Sequence, residues 1–113
     1  MTELSKLKRI IIKEEYVAIT GDFVKAVILD RFIYCSKIIL TDITDGWFYK
    51  TAEELSEETM LGLSVASMRT HIKALVDLNF ISERNNPKYK FDKTKQYRVN
   101  LAEIVKALNE NGY

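Results

Sequence analysis

Three features of the 113-residue sequence predict an α+β, mostly helical domain. Apolar residues recur at three- and four-residue spacing over long stretches. Helix-cap chemistry precedes these runs, and two short β-branched or aromatic segments flank a polar connection near the C-terminus. The length allows a single domain. A hydrophobic fraction of 47% with one Pro and four Gly excludes a disordered or low-complexity chain.

Residues 8–19 are rich in Ile, Tyr and Val and predict a short strand or extended arm. The division expected is an N-terminal arm over 1–19 and a folded domain over 20–113. Thr20-Gly21-Asp22 supplies turn and cap chemistry for a long helix with Val24, Val27, Ile28, Phe32, Cys35 and Ile39 at helical spacing. Phe23, Ile33, Tyr34 and Ile38 widen the stripe until little of the surface is polar. Such a helix is central to the core or part of a subunit interface.

Asp42 to Gly46 reads as a loop and Trp47-Phe48-Tyr49 as a short strand. Thr51-Ala52-Glu53-Glu54 is a capping box opening a second helix that carries Leu55 inward. Gly62 breaks that pattern. Ser64 caps a third helix with Val65, Met68, Ile72, Leu75 and Val76 inward, and Asn79 is suited to a left-handed stop. Phe80-Ile81-Ser82 and Gln96-Tyr97-Arg98-Val99 predict two strands of a hairpin with a long tip. Asn100 is placed to cap a last helix using Leu101, Ile104, Val105 and Leu108.

Two helices joined by a Gly-containing turn and followed by a hairpin describe a winged helix-turn-helix, here with an N-terminal arm or strand and a C-terminal helix. In that fold the second helix of the pair lies in the DNA major groove and the wing reaches the adjacent backbone. Net charge is only +1, yet it is unevenly spread. Ala66–Arg98 holds eight basic residues against three acids, and the rest of the chain holds nine against 13. The basic excess thus falls on the two elements that such a fold presents to phosphates.

On the third helix Ser64, Ser67 and Thr70 suit phosphate or water-mediated contacts, Arg69 suits guanine, and Lys73 extends the outward row. Arg84, Lys88, Lys90 and Lys93 would hold the backbone from the wing. That third helix has no Gln or Asn, so sequence specificity is expected to be modest.

The remaining chemistry-bearing residues have plainer readings. Cys35 lies in the most hydrophobic helix and reads as core, and His71 as a packing or capping residue. Glu53, Glu54, Glu57 and Glu58 suit the helix macrodipole better than a metal site. One Cys precludes an internal disulfide and points to a reducing, cytoplasmic setting. The sequence carries no Gly-rich phosphate loop, H-E-x-x-H or nucleophile constellation, so no enzyme, cofactor or metal is expected. A targeting segment or membrane span is not expected either.

Several stretches also resemble one family. Ile19-Thr-Gly-Asp-Phe-Val-Lys-Ala-Val-Ile-Leu-Asp-Arg-Phe-Ile-Tyr-Cys35 resembles its first helix. Trp47-Phe-Tyr-Lys-Thr-Ala-Glu-Glu-Leu55, Leu61-Gly-Leu-Ser-Val-Ala-Ser-Met-Arg69 and Ile72-Lys-Ala-Leu-Val-Asp-Leu-Asn-Phe-Ile81 continue the likeness, and Lys95-Gln-Tyr-Arg-Val-Asn100 resembles its last wing strand. The family is the N-terminal winged-helix domain of phage and plasmid replication proteins and replisome organisers, akin to DnaD-type primosomal proteins. The likeness spans roughly residues 16–101. It implies origin or single-strand/duplex DNA binding in replication initiation, a helicase loader or other replisome protein as partner, and self-association through the N-terminal region. Ile11, Tyr16, Val17 and Phe32 are the candidate contacts of such a dimer. The connection after Glu57 is longer than the family's by Glu58-Thr59-Met60 or part of it, so either the second helix extends or the turn is irregular. A transcriptional regulator of the same fold, or a winged-helix module for protein–protein assembly, are the alternatives.

Overall fold

The computed structural model describes residues 9–38, 45–85 and 95–113. In chain order the elements are α1 (Glu14–Thr20), α2 (Phe23–Ile38), β1 (Phe48–Tyr49), α3 (Ala52–Thr59), α4 (Val65–Asp77), β2 (Ile81–Asn85), β3 (Lys95–Val99) and α5 (Leu101–Glu110). The architecture is α+β and mostly helical, with one small antiparallel sheet.

Of the short strand or extended arm expected over 8–19, the part from Glu14 onward is instead helix α1. Glu14 and Glu15 sit in its first turn, where the macrodipole favours acids. Gly21 ends it at φ 93°, its N–H donating to the Val17 carbonyl. A β-branched segment needs a neighbouring strand to profit from its local preference, and α1 packs on α2 instead. Ile19 and Thr20 are buried there. Residues 9–13 keep a non-helical course, with Ile10, Ile11 and Ile12 exposed.

α2 is the central helix. The Asp22 carboxylate caps it, accepting from the Lys25 N–H at 2.7 Å. Ala26, Val27, Ile28, Leu29, Phe32, Ile33 and Cys35 are buried, and the helix packs against α1, α3, α4 and β3. Among the described side chains, its apolar pattern is thereby largely absorbed within the chain, while the rings of Phe23 and Tyr34 are exposed.

α3 opens with the full capping box: Glu54 N–H donates to Thr51 Oγ1, and Thr51 N–H to Glu54 Oε1. The helix runs through Thr59 and stops at Met60, which is left-handed at φ 55°. Glu58 and Thr59 thus extend the helix, and Met60 adds an αL stop. Ser56 Oγ donates to the Leu63 carbonyl at 2.6 Å and fixes the turn. Ser64 Oγ accepts from Ser67 N–H to start α4, whose Met68, Ile72 and Leu75 are buried. Val65 and Val76 pack partly against that core. Asn79 closes the segment at φ 65°.

The sheet order is β1-β3-β2, with Phe48 opposite Tyr97 and Glu83 opposite Tyr97 on the other side. Strand alternation puts Phe48, Ile81 and Tyr97 on the helix side, where all three are buried. The Phe32 ring meets Tyr97 edge-on at 5.1 Å and Phe48 at 6.0 Å, joining α2 to the sheet. Tyr49, Ser82, Arg84, Gln96 and Arg98 occupy the opposite face.

Asn100 stands at the start of α5 without capping it through its side chain. Its amide donates to the Asn79 carbonyl at 2.9 Å and to Ser82 Oγ at 3.1 Å, locking the base of the hairpin. On α5 only Ile104 is buried, with Ala107 and Leu108 partly covered, while Leu101 and Val105 are exposed. Among the described residues no helix is long and apolar enough to cross a membrane.

Candidate nucleic-acid interface

Capping determines which side chains α4 presents. Ser64 fixes the helix start, and burial of Met68, Ile72 and Leu75 then turns Arg69, Thr70 and Lys73 outward. Ser64 is exposed and Ser67 half-buried. Thr70 Oγ1 donates to the Ala66 carbonyl at 3.0 Å, leaving its lone pairs to accept. Lys73 stands 3.6 Å from Asp77, both well exposed, a pairing that a phosphate can displace. Arg69 has no hydrogen-bond or ion-pair partner among the described residues.

A cavity of about 240 Å³ lies beside Arg69, walled by Lys50, Thr51, Ala52, Glu53, Lys95 and Tyr97. Three cations therefore converge between the start of α3, α4 and β3. They are not equally free. Lys50 is held by Glu58, which also accepts from Arg31 Nε at 3.3 Å. Burial pushes the Glu58 carboxyl up, but the hydrogen bonds from Lys50 and Arg31 outweigh it and hold the group below its ordinary range. Among the described residues Lys95 Nζ donates to Asn85 Oδ1 alone, at 2.9 Å. Burial, and then the nearby Glu83, raise the Tyr97 hydroxyl to about 12, with Arg69 acting in the opposite sense. Glu53 is the acid on the cavity wall and opposes an anion there.

Lys95 is not one of the binding candidates that the sequence suggests, although it belongs to the basic excess of the hairpin. Its register opposite Asn85 and its place on the Tyr97 side of β3 bring it to the α4 cleft. Arg84 behaves differently. The winged-helix pattern has it join α4 in holding the backbone, but it lies on the sheet face turned away from the helices. Its guanidinium is 4.1 Å from the Trp47 ring, and its Nε donates to Gln96 Oε1 at 2.7 Å. Arg98 approaches the same ring at 4.8 Å and donates to Asp45 at 3.2 Å. Lys88, Lys90 and Lys93 lie outside the described residues.

Of the candidate dimer contacts, Ile11 is exposed, and Tyr16 and Val17 are half-buried on α1. Phe32 requires correction. It is fully buried between Phe48 and Tyr97 and serves the chain's own core, so no partner reaches it. Cys35 is likewise buried, and burial pushes its thiol up, away from the reactive thiolate. Among the described residues no cluster of three His, Cys, Asp or Glu side chains could hold a metal ion. Comparison with known proteins finds no matching family, no matching characterised protein and no matching solved structure.

Proposed function

We propose that this chain is a winged helix-turn-helix domain that binds duplex DNA, with α4 in the major groove and the β2–β3 hairpin as the wing. The observation that carries the reading is the convergence of Arg69 and Lys95 on one cleft beside the outward face of α4. The order of elements agrees with it: a capped helix, a turn and a capped helix lead into a hairpin, and β1 completes a β1-β3-β2 sheet. The resemblance to replication proteins supports a role in replication initiation, with a helicase loader or other replisome protein as partner. A transcriptional regulator would use the same surface.

Duplex affinity measured against salt tests this. Changing Arg69 to Ala costs about 1–3 kcal/mol if the side chain reads a guanine. Changing Lys88, Lys90, Lys93 and Lys95 to Ala lowers the salt slope by about 0.9 for each phosphate no longer neutralised. Unchanged affinity and slope across these variants would sink the DNA reading.

A second reading, a protein assembly module, draws on the exposed Ile11, Ile12, Leu101 and Val105. Light scattering separates the two: a stable oligomer without DNA affinity favours assembly, and a DNA-binding monomer excludes it.

A further inference from the structure

We infer that the outer face of the sheet, turned away from the helices, is a platform for single-stranded nucleic acid, separate from α4. One side of this sheet is sealed by the core, while the other carries Tyr49, Ser82, Arg84, Gln96 and Arg98 at its strand positions, with no acid among them. Trp47 lies on the same side, braced by both guanidiniums. Each guanidinium has five N–H donors. Among the described residues Arg84 uses Nε on Gln96 and Arg98 one Nη on Asp45, so within that set both retain donors for phosphate oxygens.

Tyr49 is 46% exposed, and its ring meets no other ring or cation among the described residues. It forms one wall of a cavity of about 330 Å³ at the β1 edge, where α2 supplies Arg31 and Tyr34 and where Lys50 and Arg31 are paired with the Glu58 carboxylate. Tyr34 is 51% exposed, with the Arg31 guanidinium 4.6 Å from its ring. That volume is at the lower end of ligand-sized pockets. An exposed aromatic ring on a sheet, next to free arginine donors, is the arrangement on which unpaired bases stack. In a duplex both faces of each base are covered by its neighbours, so Tyr49 has nothing to stack on there. The occupant that fits both the rings and the charge is a single strand. Its base rests on Tyr49 towards Tyr34, and its phosphates lie along Arg84 and Arg98, one to two strand spacings (~5–10 Å) away.

Trp47 is the sole tryptophan, so its emission reports on this face alone. The full chain is titrated with an oligothymidylate while Trp47 fluorescence is followed, and duplex binding is measured in parallel. We expect the oligonucleotide to change the emission and Tyr49→Leu to weaken single-strand binding roughly 5- to 150-fold, as loss of one stacked base predicts. Tyr49→Phe retains affinity, which separates stacking from folding, and Tyr34→Leu weakens binding in the same direction. Arg98→Ala lowers the single-strand salt slope by about 0.7. Arg69→Ala leaves single-strand binding intact, whatever becomes of duplex binding. The inference is overturned by absence of single-strand binding, by equal affinity of Tyr49→Leu and the parent, or by loss of binding in Arg69→Ala. A Trp47 response to poly-glutamate but not to the oligonucleotide overturns it too, in favour of an acidic peptide.

Discussion

Glu53 and Glu58 are both acids of α3, yet their surroundings give them opposite effects. Glu53 faces the cleft that holds Arg69 and Lys95, where its charge repels the phosphate proposed to sit there. An exposed charge is worth at most about 1 kcal/mol. Changing Glu53 to Gln should therefore tighten duplex binding roughly two- to fivefold at low salt, with the gain vanishing at high salt in an anisotropy titration. Glu58 instead ties Lys50 and Arg31 to α3. Its folded pKa lies below the ordinary 4.5, so its contribution is present above that pH and is lost as pH falls through the lowered folded value. Glu58→Gln should lose about 1 kcal/mol in urea unfolding at neutral pH, allowing for its partial exposure. The gap to the parent should narrow in strong acid. A gap independent of pH would remove the ion-pair explanation.

Local rules place α3 and α4 almost residue by residue, because a cap is an interaction within four residues and needs no distant partner. The Thr51 box, the Ser64 cap and the left-handed Asn79 all stand where sequence alone puts them. Asn100 shares the cap signature, but its amide is drawn to Asn79 and Ser82, groups that become neighbours only when the hairpin closes. This distinction is testable. Asp is as good an N-cap as Asn, whereas an ionised carboxylate cannot donate to the Asn79 carbonyl. Asn100→Asp should cost about 1–2 kcal/mol in thermal or urea unfolding. A neutral or stabilising effect would return Asn100 to a capping role.

At the scale of the molecule, α2 decides the fold. Phe32 sits where the sheet meets the helices, and truncation to Ala should cost about 3–5 kcal/mol, enough to unfold a marginal domain. Ile11→Asp, on the exposed arm, should leave unfolding unchanged within about 0.5 kcal/mol while disfavouring any dimer formed through that arm. Chemical unfolding combined with light scattering reads both effects. A dimer lost in Phe32→Ala with stability retained would overturn the assignment of Phe32 to the core.

By itself the sequence determined the caps, the inward and outward faces of α4, the presence of the hairpin and the concentration of positive charge in the second half. Each depends on spacing along the chain or on composition. Tertiary structure alone decided the rest. The segment over 14–20 became a helix packed on α2 and α5. Phe32 became core because Phe48 and Tyr97 closed over it. Lys95 and Arg84, both counted in the same basic excess, were sent to opposite faces of the sheet. Periodicity states which side chains share a face; only the packed neighbours state what that face meets.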